Sequence, residues 1–159
     1  MKKATDAQVA VGYATELSCV DVLLKDGESI QFGDETLFAL STAGHTDGCT
    51  SYRWRDRLFT GDALLINACG RTDFQQGNPH TLYHSLLKLL AYDGDFLVYP
   101  AHDYNGRRVS SLVEEKNNNP YLQLNEADFV EKMNNLDLPK PQKIDIAVPS
   151  NMQCGYFKT

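Results

Sequence analysis

Short apolar runs separated by turn signals fill the first part of the chain, and apolar positions at helical spacing take over after it. Residues 8–13 and 20–24 are β-rich, Lys25-Asp26-Gly27 marks a turn, 29–32 reads as a strand, and Gly33-Asp34 marks the next turn. Residues 36–41 alternate less cleanly but read as another strand. Two further β-type runs, 49–54 and 58–60, flank the polar turn Arg55-Asp56-Arg57. An apolar stretch at 63–66 then leads into a loop over 67–78. A helix is predicted over 79–91, where Asn78 can cap, Pro79 suits the first helical position, and Leu82, Ser85, Leu86, Leu89 and Leu90 recur on one face. Residues 96–99 read as a compact buried strand stopped by Pro100. Helices follow at 109–117 and at 125–136, the latter capped by Asn125 with Asp128 at its third position, and 138–141 is an extended linker into an irregular tail over 144–159. Many strands, one helix, one more strand and then helices describe an α/β or α+β layered domain built on a sheet.

That order places chemistry at strand ends. His45, in Thr42-Ala43-Gly44-His45-Thr46, precedes the outgoing strand of the 49–60 hairpin, and Asp62, in Thr60-Gly61-Asp62, follows the returning one. Antiparallel strands joined by a tight turn start and finish at the same sheet edge, so imidazole and carboxylate belong on one rim. The strand at 96–99 runs straight into Pro100-Ala101-His102-Asp103-Tyr104 and can bring a second histidine there. Singly, each histidine is better explained as an ordinary surface or core residue; the shared placement makes metal ligation an equal reading for the set. Histidine and carboxylate donors suit iron, zinc or manganese, and two histidines with one carboxylate is the pattern of non-haem Fe(II) oxygenases. His80 and His84 lie four apart on the predicted helix, a chelating spacing, but no H-E-x-x-H motif accompanies them and a structural role is expected. Arg71, in the polar loop after Asp62, can grip a substrate carboxylate through two hydrogen bonds or form a salt bridge with Asp73. Tyr104 can donate a hydrogen bond into the site or pack on its own loop.

Composition narrows the field. A chain of 159 residues, 42% hydrophobic and 23% charged, has the make-up of one soluble globular domain spanning 1–159. A net charge of −6 with no basic stripe argues against nucleic acid as a partner. No apolar run reaches membrane-spanning length, so no membrane partner is expected. Met1-Lys2-Lys3 leads into Ala4-Thr5-Asp6 rather than an apolar stretch, which points to a cytoplasmic location. Cys19, Cys49, Cys69 and Cys154 are scattered, form no C-x-x-C pair, and read as thiols in a reducing compartment rather than a disulfide framework. Cys69 and Cys154 are candidates for redox activity only if their pKa values are depressed.

Six stretches taken together resemble a known family. They are Thr42-Ala43-Gly44-His45-Thr46-Asp47-Gly48, Phe59-Thr60-Gly61-Asp62-Ala63-Leu64, the run from Cys69-Gly70-Arg71-Thr72-Asp73-Phe74 to Gly77, Thr81-Leu82-Tyr83-His84-Ser85, Tyr99-Pro100-Ala101-His102-Asp103-Tyr104, and Val148-Pro149-Ser150-Asn151-Met152. The family is the persulfide dioxygenases, the ethylmalonic-encephalopathy-protein-like branch of the metallo-β-lactamase superfamily, and the resemblance covers residues 8–155. The G-H-T and G-D elements mark the superfamily broadly; the C-G-R-T-D-F-Q-Q-G run is specific to this branch.

The resemblance implies an αββα sandwich, α/β in class and truncated at its N-terminus. It implies a glutathione-persulfide (sulfur) dioxygenase that oxidises the sulfane sulfur with O₂ to sulfite at one mononuclear non-haem Fe(II). It assigns His45 and Asp62 to the metal, gives His102 a catalytic position beside the iron rather than on it, and places Arg71 and Tyr104 at the glutathione pocket. The family's H-x-H-x-D-H motif occurs nowhere in these 159 residues, Ala43 stands where proline is usual, and Gln153 where a basic residue is common. Loss of opening strands would bare an apolar sheet face, so a second chain, a homodimer included, is an expected partner. The alternatives are a glyoxalase II-like hydrolase of glutathione thioesters, with zinc in place of iron, and a non-catalytic glutathione-binding fragment.

Overall fold

A computed structural model of the chain describes residues 2–154. A short helix α1 (Lys2–Thr5) precedes strands β1 (Ala10–Gly12), β2 (Val22–Leu24), β3 (Ser29–Phe32), β4 (Glu35–Ser41), β5 (Thr50–Trp54), β6 (Arg57–Gly61), β7 (Leu64–Leu65) and β8 (Ala68–Cys69). Helix α2 (Pro79–Leu90) follows, then β9 (Leu97–Pro100), β10 (Ser110–Ser111), α3 (Leu112–Asn118), α4 (Glu126–Asn134) and α5 (Ile144–Met152).

Six strands form one sheet in the order β10-β9-β6-β5-β4-β3. Every neighbouring pair is antiparallel except β6 and β9, which run parallel and are joined through α2. Because β5 runs against both β4 and β6, the strands β4, β6 and β9 share one direction and end at one edge. Register puts Leu40, Leu58 and Val98 on one face, where they join Leu82, Leu86 and Leu89 of α2, Leu112 of α3, and Phe129 and Met133 of α4 in a single core. Each strand therefore buries alternate side chains against helices, as the period of two requires.

The opposite face carries Phe32, Leu37, Tyr52, Trp54, Phe59 and Tyr99, brought into line by the same pairings. Phe32 stays 49% and Phe59 36% exposed, and the Phe59 and Tyr99 rings stack at 5.4 Å. No described residue layer covers these side chains as the helices cover the other face.

Several elements differ from the sequence reading. The segment at 67–78 is not all loop, because Leu64 pairs with Cys69 and Leu65 with Ala68 in a two-rung hairpin. The helix expected from residue 109 begins at Leu112: Ser110 and Ser111 pair with β9 first, and the Ser111 hydroxyl then caps α3 by accepting from Glu114 N at 3.2 Å. The tail is not irregular throughout, since 144–152 is helical despite Pro149; residues 155–159 lie outside the described residues. The largest correction concerns the thiols. Cys19 and Cys154 form a disulfide across a separation of 135 residues, leaving Cys49 and Cys69 free. Spacing along a chain carries no sign of a bridge that joins its two ends in space, and the reducing-compartment reading lacked that information.

Candidate metal centre

Three loops leave the shared edge of β4, β6 and β9, and each carries one of the expected side chains. Gly44, at φ +132°, lets the β4–β5 loop press onto α2, where an added β-carbon would meet the Leu82 backbone at 2.4 Å. That loop is tied down by Asn78 N donating to Gly44 O at 2.8 Å and by the Ser85 hydroxyl donating to Ala43 O at 2.6 Å. The Asn78 side chain in turn accepts from Thr81 N at 3.1 Å as the cap of α2. Asp62 follows the end of β6 directly, and Ala101 N donates to Gly61 O at 3.0 Å, joining the β9 loop to it.

The geometry brings the three together. His45 Nε2 stands 3.8 Å from Asp62 Oδ2, and His102 Nδ1 stands 3.2 Å from Asp62 Oδ1. His45 Nδ1 lies 2.6 Å from the carbonyl oxygen of Arg71. A carbonyl only accepts, so Nδ1 carries the proton and the neutral ring's lone pair is on Nε2, turned toward the carboxylate. Two lone-pair atoms then face each other. Asp62 Oδ1 is buried without a hydrogen-bond partner, its contact with His102 lacking hydrogen-bond geometry. A carboxylate with one oxygen buried and unpartnered and the other facing an imidazole lone pair is a costly arrangement in an apolar setting and a favourable one around a cation.

His45 and Asp62 fit such a cation as two of its donors. Atoms about 2.1 Å from a shared ion stand about 3.0–3.4 Å apart at right-angled or tetrahedral geometry, slightly inside the 3.8 Å separation here. The Arg71 carbonyl holding the far ring nitrogen is the usual outer support of a metal-bound histidine. Among the described residues no group of three or more His, Cys, Asp or Glu side chains is arranged to hold a metal ion, so this chain presents a partial donor set.

The other candidates sit less centrally. Arg71 is on the rim, but its guanidinium is engaged: Nε and a terminal nitrogen each donate to Asp73 at 2.6 Å, and two more bonds reach the Pro139 and Leu138 carbonyls at 2.9 and 3.1 Å. That hydrogen-bonded guanidinium holds the Asp73 carboxyl below the usual carboxylate range. The salt bridge weighed in the sequence is therefore formed, and the contribution of Arg71 to the rim that the structure displays is its backbone carbonyl. Tyr104 is 86% exposed and sets its ring edge against His102 at 4.8 Å, so it flanks the rim instead of lining it. His80 and His84 lie elsewhere, with Glu126 Oε1 2.9 Å from His80 Nδ1 and 3.3 Å from His84 Nε2. Burial pushes the Cys69 thiol up to about 12, the opposite of an activated nucleophile, and Cys154 is in the disulfide.

Sequence reasoning missed Gly70. Its backbone lies under the His45 ring, where an added β-carbon would stand 3.0 Å from Cγ. The signal was present in the Cys69-Gly70-Arg71 run but legible only as a motif, since close approach of two backbones has no periodicity.

The Metallo-beta-lactamase superfamily model matches residues 12–102. A human relative, "Persulfide dioxygenase ETHE1, mitochondrial", is 54% identical over 138 residues, covering 85% of this chain and 54% of its own length. The chain thus spans about half the length of the curated relatives it matches. A hydroxyacylglutathione hydrolase from Brucella ovis is 38% identical over 102 residues, covering 62% of this chain and 39% of that protein. The crystal structure of ETHE1 from Myxococcus xanthus superposes with a TM-score of 0.93 at 44% identity, covering 98% of this chain and 69% of that one. By sequence and by fold, the chain belongs to the ETHE1-type persulfide dioxygenase branch of the metallo-β-lactamase superfamily.

Proposed function

We propose that this chain carries the aspartate, one metal-binding histidine and the substrate-facing rim of a glutathione-persulfide dioxygenase. The carrying observation is the lone-pair Nε2 of His45 turned toward Asp62 Oδ2, on a carboxylate whose other oxygen, Oδ1, is buried and unpartnered. His45 and Asp62 would hold a mononuclear Fe(II), which when bound supplies the site at which O₂ meets the sulfane sulfur. The residues of the chain do the rest. The Arg71 carbonyl keeps the Nδ1 proton and so fixes which nitrogen of His45 faces the site. His102 borders Asp62 on the far side and is placed to hold or move a proton at Nδ1. Tyr104, edge-on to His102, offers a hydroxyl at the mouth, and Arg71 would meet a glutathione carboxylate there only by exchanging it for Asp73.

The run at 69–77, shared with the persulfide dioxygenase branch, favours this reading over a thioester hydrolase, and the hydrolase relative aligns over less of the chain at lower identity. No helix among the described residues is long and apolar enough to cross a membrane. The test is anaerobic loading with Fe(II), iron quantification, and measurement of O₂ uptake and sulfite from glutathione persulfide, with lactoylglutathione and Zn(II) in a parallel reaction. Stoichiometric iron and sulfite formation support the proposal. Thioester hydrolysis without sulfite overturns it in favour of the hydrolase, and glutathione binding with neither metal nor turnover overturns it in favour of a non-catalytic module.

A further inference from the structure

Glu115 is the one fully buried carboxylate side chain among the described residues, at 0% exposure in α3. A buried carboxylate is expensive unless every lone pair it turns inward finds a donor. A leucine would fill the space without that cost, so the donors show what the acid is for. Oε2 accepts from the backbone N–H of Asn67 at 2.9 Å and from Asn119 Nδ2 at 2.8 Å; Oε1 accepts from the Ser110 hydroxyl at 2.6 Å. Asn119, itself 0% exposed, also donates from Nδ2 to the Ala68 carbonyl at 3.0 Å.

Asn67 and Ala68 belong to the β7–β8 hairpin. Two pairings, Leu64 with Cys69 and Leu65 with Ala68, are all that hold its strands together, and Asn67 in its turn sits at φ +54°. Such a ribbon is marginal without outside support. It is also the piece of chain that begins just after Asp62 and ends just before Gly70 and Arg71. Its register therefore sets where the Arg71 carbonyl meets His45 Nδ1, and where Gly70 lies beneath the His45 ring.

We propose that Glu115, acting with Asn119, is a positioning residue for the metal centre: it clamps the β7–β8 hairpin so that the Arg71 carbonyl fixes the tautomer and angle of His45. The clamp works through three intermediaries and touches no metal or substrate. It rests on reading His45 and Asp62 as ligands, and the test separates the two ideas.

Glu115→Gln should rescue the arrangement. Its amide oxygen can accept from Asn67 and Asn119 while its NH₂ donates to the Ser110 hydroxyl oxygen, which turns to accept. Glu115→Ala cannot. The tautomer of His45 is read by ¹⁵N NMR of the metal-free chain, and zinc affinity is read by competition titration. Wild type and Glu115→Gln are expected to share the Nδ1–H form. Glu115→Ala is expected to show mixed tautomers and about 10- to 100-fold weaker zinc binding, the range for loss of outer support. A folded Glu115→Ala with wild-type tautomer and affinity overturns the proposal. If that variant does not fold, amide exchange of Asn67 in the wild type decides: protection like that of the β5 and β6 amides supports the clamp, and exchange at exposed-loop rates overturns it. Tautomer changes without zinc binding in any chain would sink the metal reading and keep the clamp. Unchanged tautomer with tight zinc binding in Glu115→Ala would do the reverse.

Discussion

Gly70 lies so close to Asp62 that an added β-carbon would stand 2.1 Å from the Asp62 carbonyl oxygen. The obstacle is backbone, not the end of a flexible side chain, so an alanine there must push the β8 end away from the loop that holds the carboxylate. Overpacking of this kind costs about 1–3 kcal/mol. Gly70→Ala is expected to lower stability by that amount in urea unfolding and to weaken zinc binding in the same protein, because the His45 ring shares the contact.

Removing a ligand is a sharper change than disturbing its surroundings. Asp62→Asn keeps the shape but replaces one carboxylate oxygen with an N–H₂ donor facing the His45 lone pair. Metal affinity should fall by more than about 100-fold, beyond the range for outer-support mutations. Stability should rise or stay level, since the new N–H₂ finds an acceptor in the His45 lone pair and the charge beside the buried, unpartnered Oδ1 is removed. Equal metal binding by Asp62→Asn would show that the ion, if any, sits elsewhere.

The strand directions that build the rim were legible because a hairpin and a strand stopped by proline are local signals, and His45, Asp62 and His102 needed only those. The supports were not. Gly70 beneath His45, the Arg71 carbonyl on Nδ1, and Glu115 behind the hairpin all depend on approach between segments distant in sequence, for which alternation and spacing give no sign. The two-rung β7–β8 pairing fell below the length at which alternation can be counted. Arg71 shows a different failure: its residue type fitted a carboxylate grip and a salt bridge equally, and only the fold shows Asp73 filling the fork.

The Arg71–Asp73 pair gives a pH dependence. The guanidinium holds the Asp73 carboxyl below its ordinary value. A depressed folded-state pKa stabilises the fold above the unfolded value, about 3.9 for aspartate, and the gain disappears as pH falls through the folded value. Asp73 is 46% exposed, so solvent screening limits the pair to about 0.5 kcal/mol. Asp73→Asn should therefore be less stable than wild type by about that much at pH 7, with the two curves drawing together as pH falls through the folded-state value. A constant gap down to pH 2 would assign the difference to hydrogen bonding alone.

The cysteines separate cleanly by chemistry. Native, unreduced protein should expose one reactive thiol to a disulfide reagent at pH 8, Cys49, because burial holds Cys69 up at about 12 and Cys19 and Cys154 are joined. Denaturation should release a second thiol, and reduction two more. Closing a loop of this length stabilises by up to about 5 kcal/mol in the chain-entropy model, so reduction should lower the unfolding midpoint markedly. Four titratable thiols before reduction would mean that the bridge does not form under those conditions.

Phe32, Leu37, Tyr52, Trp54 and Phe59 line a cleft on the sheet face opposite the helices, and the stacked pair Phe59–Tyr99 extends it toward the edge where Asp62 and His102 emerge. Aromatic side chains in a contiguous, solvent-facing patch lower free energy when covered, and soluble monomers seldom leave such a patch bare. The 159-residue chain is therefore expected to bind an apolar dye on this face and to self-associate as its concentration rises. Lysine at positions 32 and 59 places two like charges in the patch and leaves the core on the other face untouched. Phe32→Lys with Phe59→Lys should reduce dye fluorescence several-fold and shift sedimentation toward the monomer, with the far-UV spectrum unchanged. Equal association by the double variant would place the contact on another surface, and a wild-type chain that stays monomeric and dye-free would show that this face attracts no partner of its own kind.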